Sequence, residues 1–218
     1  MQAKTPEQSK TIMTDMVLPG ETNPLNNLFG GELLARMDRA ASISARRHSR
    51  RIVVTASVNH VAFNRAVPLG SVVTVEAKVS RAFNTSMEVF IDVWMEDRES
   101  GAKTKANEAI YTFVAVDETG KPIAVPEVLP ETKLEKERYM AALRRKQLSL
   151  LLAGKIKPNE ATELKAEGFK ARKIGVNKYG LHEVVYASYE TGQEALVELH
   201  KIRKTSNKDA WLLVKELD

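Results

Sequence analysis

A Gly30-Gly31 pair opens a helical stretch whose second half is rich in small residues, and this leaves the chain few folds. Leu33, Leu34, Met37, Ala41 and Ala45 share one face at helical spacing, which predicts a helix over residues 32–48. Ala40, Ala41, Ser42, Ser44 and Ala45 are all small, so other backbone can come close, as it does when a sheet wraps a helix. Strand-like runs follow. Residues 51–63 are rich in β-branched side chains. Val73, Val75, Ala77 and Val79 alternate with Thr74, Glu76 and Lys78; Met87, Val89, Ile91, Val93 and Met95 alternate with Glu88, Asp92 and Glu96; Ile110, Thr112, Val114 and Val116 recur at period two. Alternation of period two predicts strands with one face on the core and one on water. Turn residues separate them at Pro68-Leu69-Gly70, Asn84-Thr85, Ser100-Gly101 and Thr119-Gly120. One long helix followed by an antiparallel meander is an α+β architecture.

Around this unit the chain is organised more loosely. Residues 1–21 are polar and read as a loose arm. The predicted helix ends in Arg46, Arg47, His48, Arg50 and Arg51. Such a cationic cluster complements the negative end of the helix dipole, and a phosphate-binding role is the alternative. A proline-bearing linker at 122–130 closes the first unit, residues 1–130. A helical extension, 131–165, contains a helix over 132–152 with Tyr139, Ala142, Leu143, Leu150 and Leu151 on its apolar stripe. A shorter helix starts at Pro158. Residues 166–218 alternate strand (171–176), strand (181–188), helix (191–204) and strand (210–215), and read as a small α/β module.

Composition excludes several chemistries. The chain has 218 residues and no Cys, which rules out disulfides, thiolate metal sites and a Cys nucleophile. No stretch is long and apolar enough for a secretory signal or a membrane span, so a cytoplasmic, membrane-free protein is expected. The net charge of +5 comes from residues 131–218, where 18 Lys and Arg face 13 Asp and Glu. That excess is too thin for a nucleic-acid footprint. Phosphate-binding loops and nucleophile elbows are absent, and the four His (His48, His60, His182, His200) lack metal-ligand spacing. No metal or cofactor is expected.

The segment with chemical content is Asn23-Pro24-Leu25-Asn26-Asn27-Leu28-Phe29-Gly30-Gly31. The glycines allow a tight turn and a close backbone approach by a ligand. The helix start then offers free N–H groups that can polarise a carbonyl. Asp38 lies two turns in, beside Leu34, Met37 and Ala41. By periodicity alone it faces solvent, pairs with Arg36 or Arg39, or serves a function, since a carboxylate on an apolar face is costly without one.

The run N-N-L-F-G-G-E-L-L-A-R-M-D, Asn26 to Asp38, resembles the signature of the hotdog acyl-CoA thioesterases, the bacterial and brain-type acyl-CoA hydrolases. T-A-S-V-N-H-V-A-F (Thr55 to Phe63), P-L-G-S-V-V (Pro68 to Val73) and Y-T-F-V-A-V-D (Tyr111 to Asp117) follow in the order of that family. Ala66 stands where the family often has Pro. The resemblance implies a hotdog fold, a long central helix wrapped by an antiparallel sheet. It implies hydrolysis of acyl-CoA, with Asn27 and Asp38 as catalytic residues facing each other across a homodimer, often three dimers in a hexamer. Gly30 and Gly31 amides would polarise the thioester carbonyl. Phe29 would contact substrate, and Arg81, Asn84 and Ser86 would meet the CoA phosphates, with Arg50 and Arg51 as alternatives.

A second resemblance concerns the C-terminal module. G-L-H-E-V-V-Y-A-S-Y (Gly180 to Tyr189), E-A-L-V-E-L-H-K-I-R (Glu194 to Arg203) and D-A-W-L-L (Asp209 to Leu213) look like the second half of a SPOR domain, a peptidoglycan-binding fold whose first strand is missing here. The alternatives to a thioesterase are therefore a non-catalytic acyl-CoA sensor and a peptidoglycan binder.

Overall fold

The computed structural model describes residues 1–97, 100–153 and 155 and, as strands, 172–176 and 182–185. The chain forms two compact units, Met1–Leu143 and Arg144–Asp218. In the first, helix α1 (Gly30–Ser49) packs on a five-stranded antiparallel sheet of β1 (Thr11–Met16), β2 (Ile52–Ala62), β3 (Val72–Ala82), β4 (Ser86–Glu96) and β5 (Lys103–Val116). This is the expected hotdog arrangement. The expected helix and all four expected strands are present. The small stripe does what its composition suggests: Ala40, Ala41, Ser44 and Ala45 are fully buried, and so is Met37. Tyr111 and Phe113 on β5 and Met87, Val89, Ile91 and Val93 on β4 complete the core.

Two expectations are corrected. Residues 1–21 are not a loose arm, because Thr11–Met16 forms β1 and pairs along its whole length with β3. Its apolar residues fall on both faces, with Ile12 and Met16 half exposed, so it lacks the alternation that marks the other strands. Nor is the sheet a simple meander. Its order is β1-β3-β4-β5-β2, so β2, the first strand after α1, lies at the far edge beside β5.

Helix α2 (Lys133–Leu152) crosses the division between the units. Its first half explains why β4 is buried on both faces rather than on one. Arg138 lies 3.7 Å from the centroid of the Phe90 ring and 2.8 Å from Asp92, which also pairs with Lys105 at 2.7 Å. In the second unit β6 (Arg172–Val176) and β7 (His182–Val185) form an antiparallel pair. The turn between them, the helix expected from Pro158, the helix over 191–204 and the strand over 210–215 lie outside the described residues.

His48 is the third correction. It is not part of a solvated cationic cluster but is fully buried, with Nε2 2.8 Å from the Pro126 carbonyl. The end of α1 is capped by Arg50, whose N–H donates to the Arg46 carbonyl, and the Lys4 ammonium donates to the carbonyls of Arg47 and His48. Burial lowers the His48 pKa, and nearby Lys4 lowers it further, against the bond to Pro126. The folded protein therefore holds His48 neutral, while the unfolded chain protonates it near the ordinary value of about 6.5. A base with a lowered folded pKa leaves stability intact above that value and drains it as pH falls below it. Urea midpoints should drop between about pH 7.5 and 5.5, with a shallower drop in His48→Gln. Equal slopes in the two proteins would contradict this assignment.

Candidate active site

The site is built where α1 faces β2 and β5. Asp38 is half buried on α1 and accepts a 2.8 Å hydrogen bond from Thr55 Oγ1 on β2. It pairs with neither nearby arginine. Arg36 is committed to Glu21 and Asp15, and the Arg39 Nε–H donates to the Ala35 carbonyl. Leu34, Ala35, Val58, Val61, Phe63 and Tyr111 line an open groove of about 390 Å³ with Asp38 as its one charged residue.

β2 reaches this groove through irregularity. Its pairing with β5 slips between Thr55 and Ser57 and again between Val58 and His60. Bulges re-aim side chains and often sit beside active sites. Here Thr55, Val58 and Val61, three residues apart, all face the helix, where strict alternation would have turned Val58 away. Tyr111 closes the floor of the groove. Its hydroxyl donates to the Leu34 carbonyl at 3.3 Å. Burial, with a contribution from the negative charge of Asp38, pushes the Tyr111 phenol up to about 12, so it remains a proton donor.

The turn into α1 supplies electrophilic groups. Glu32 and Leu33 N–H donate to the Phe29 carbonyl. The N–H groups of Gly30 and Gly31 have no acceptor among the described residues. A Cβ on Gly31 would stand 3.0 Å from Cε1 of Phe29, whose ring is 57% exposed, and one on Gly30 would touch Phe63. The preceding loop is knotted on itself. Asn23 Oδ1 accepts from Leu25 N and Asn27 N, and Asn23 N donates to the Asn27 carbonyl. Asn27 also bridges Pro68.

The structure does not bring every expected site residue together within one chain. Asn27 and Gly30-Gly31 lie at one end of α1. Arg81, Asn84 and Ser86 lie at the β3–β4 turn, beside the far end of β5, where Ser86 is buried opposite Val114. Arg81 is engaged there: its guanidinium sits 4.0 Å from the Tyr139 ring centroid and donates to the Tyr139 carbonyl at 3.0 Å. Among the described residues no group of three or more His, Cys, Asp or Glu could hold a metal, and no helix is long and apolar enough to cross a membrane.

With this geometry in hand, comparison with known proteins decides the family. Residues 25–102 match the model of the thioesterase superfamily. YkhA of Bacillus subtilis, called an uncharacterized acyl-CoA thioester hydrolase, is 42% identical over 147 residues, covering 65% of this chain and 86% of that protein. The chain belongs to the thioesterase superfamily. Among solved members of the superfamily, an apo-hexameric acyl-CoA thioesterase is 41% identical with a TM-score of 0.65, covering 67% of this chain and 94% of its own. The acyl-CoA hydrolase of Staphylococcus aureus, solved with butyryl-CoA and CoA, is 32% identical with a TM-score of 0.64, covering 76% of this chain and 95% of its own.

That S. aureus enzyme has also been solved with an Asn, an Asp or a Thr replaced by Ala. The Asn precedes the Asp by 15 residues and the Thr follows it by 17. In this superfamily member the same spacings run from Asn23 to Asp38 and from Asp38 to Thr55. The motif singled out Asn27 and gave Thr55 no role, while the bond of Thr55 to Asp38 draws attention to Thr55.

The groove floor gives a direct test. Tyr111→Phe keeps the ring and loses one hydrogen bond, and should cost about 1 kcal/mol of unfolding free energy. Tyr111→Ala empties the floor and should cost roughly 3–5 kcal/mol. Chemical denaturation of both variants would refute the packing role if the two losses were equal.

Proposed function

We infer that this protein hydrolyses the thioester bond of acyl-CoA to a free acid and CoA. The observation that carries this reading is Asp38, a lone carboxylate fixed by Thr55 on an apolar groove between α1, β2 and β5. The thioesterase-superfamily relatives named for acyl-CoA hydrolysis support it.

The geometry suits a simple mechanism. The acyl chain lies along Leu34, Val58, Val61 and Phe63. Gly30 and Gly31 N–H groups, which follow the loop Asn and would come with it from a second copy, polarise the carbonyl and take up charge as it becomes tetrahedral. Asp38 removes the proton from an attacking water, or attacks the carbonyl itself to form an anhydride that water then opens. Collapse of the intermediate breaks the C–S bond. The departing thiolate needs little acid assistance, since thiols have a pKa of about 8.5. A loop Asn positions the water or the substrate. The sequence motif favours Asn27, and the spacing shared with the S. aureus enzyme favours Asn23.

Assembly is part of the same reading. β2 ends the sheet with an open edge and exposes Ile52, Val54 and Val58, while the groove beside it is open. A second copy would cover this face and supply the loop Asn opposite Asp38. Hexameric neighbours support a trimer of dimers. For the CoA phosphates, Arg50 and Arg51 are exposed and have no acidic partner among the described residues, which suits them better than Arg81 in its stack on Tyr139. Cytoplasmic residence belongs to this proposal as well. Peptidoglycan binding by residues 166–218 rests on sequence resemblance alone, and retention on purified sacculi tests it.

Thiol release from short-, medium- and long-chain acyl-CoAs is the decisive assay. Asp38→Ala should lower kcat by at least about 10²-fold, and Thr55→Val by a smaller factor. Asn23→Ala and Asn27→Ala compared side by side assign the amide. A wild type that releases no thiol from any chain length would leave an acyl-CoA sensor as the reading.

A further inference from the structure

Arg36 is buried to 4% exposure on α1, two residues before Asp38. Its position has a consequence for the loop that carries the site asparagines. Arg36 NH2 lies 2.8 Å from both carboxylate oxygens of Glu21, 3.4 Å from Asp15, and donates to the Met16 carbonyl at 3.1 Å. Glu21 is held from its other side as well. Its Oε2 accepts from Leu18 N at 2.8 Å, and its carbonyl accepts from Phe29 N at 2.8 Å. Those bonds and the guanidinium keep the Glu21 carboxyl below its usual range, so the pair stays charged. The chain then runs directly into the site loop: Thr22 bridges Leu28, and Asn23 closes on Leu25 and Asn27.

We propose that Arg36 and Glu21 are positioning residues, an ionic clamp with Arg36 buried that sets the Asn23–Asn27 loop relative to the helix carrying Asp38. The proposal rests on the thioesterase reading above. Successive helical residues are about 100° apart, so Arg36 and Asp38 leave α1 in nearly opposite directions. One helix thereby fixes both the carboxylate and the loop. The loop's other contacts, Leu28 N to the Val67 carbonyl and Leu69 N to the Asn26 carbonyl, tie it to the β2–β3 connection and not to α1. The clamp therefore sets the angle at which the loop leaves α1, and with it how the loop would meet Asp38 of a second copy. One guanidinium nitrogen, NH2, makes all of these contacts, and the long, buried Arg36 side chain sets how far from α1 they are made.

The test uses the full chain with one acyl-CoA that the wild type hydrolyses. Glu21→Gln preserves shape and removes the charge. Arg36→Met removes the clamp, and Arg36→Lys returns the charge on a shorter side chain. A misplaced catalytic group costs up to about 10²-fold in rate even when the change lies away from the chemistry. Glu21→Gln and Arg36→Met should therefore lower kcat by roughly 10- to 100-fold with KM changed less than about twofold, and Arg36→Lys should recover part of the loss. Wild-type kcat in Glu21→Gln overturns the clamp. So do kcat losses that merely follow a falling Tm and are equal in the Lys and Met variants. A wild type without thioesterase activity fails before any variant is compared, and takes the parent reading and this inference down together.

Discussion

The rest of this structure depends on how closely a sheet can approach α1. A sheet wraps a helix only if the helix surface offers little side-chain height. Ala40, Ala41, Ser44 and Ala45 provide that surface and are fully excluded from solvent. Bulk comes from the sheet, from Tyr111, Phe113 and Met87. This division lets the helix and the sheet pack closely. Close approach also lets a tyrosine on β5 reach a backbone carbonyl of the helix and lets a threonine on β2 reach Asp38. A longer side chain at any of the small positions would lift the sheet and break both contacts.

A second constraint follows from where β2 lies. As an edge strand it has one neighbour, and two bulges in that single ladder are tolerable because no further strand must follow them. The bulges turn Thr55, Val58 and Val61 toward the helix. The same edge leaves apolar side chains in water and the groove open on one side. Irregularity that shapes the site and exposure that invites a second copy thus have one origin.

Legibility in the sequence tracked how local each signal was. The α1 helix and strands β3–β5 carry their own periodicity and could be read directly and β2 from its β-branched composition, whereas periodicity left Asp38 open and only the resemblance gave it a role. β1 could not, because an edge strand pinned by β3 needs no alternation of its own. The order of the strands was hidden too, since pairing of β2 with β5 is a contact between distant segments. His48 looked cationic among its neighbours; only the proline segment packed over it shows that it must be neutral. Arg81 looked free for the same reason, with Tyr139 lying 58 residues further along. The motif located the asparagine loop but not which asparagine, because Asn23, Asn26 and Asn27 share one small turn.

The site's chemistry also explains what it lacks. A serine or cysteine hydrolase needs a basic partner to activate its nucleophile. The groove has no imidazole, and a carboxylate by itself is a weak base. Thioester hydrolysis fits that weakness. The carbonyl is electrophilic, the leaving group departs as an anion, and the largest remaining demand is a well-placed water and two N–H donors. Placement is a matter of geometry, and geometry is what this fold supplies in quantity. Asp38 is fixed by Thr55, the donors by the start of α1, and the loop by Arg36 and Glu21. An enzyme that relies on position more than on a strong base should feel small displacements at each of these contacts more than changes in its surface charge.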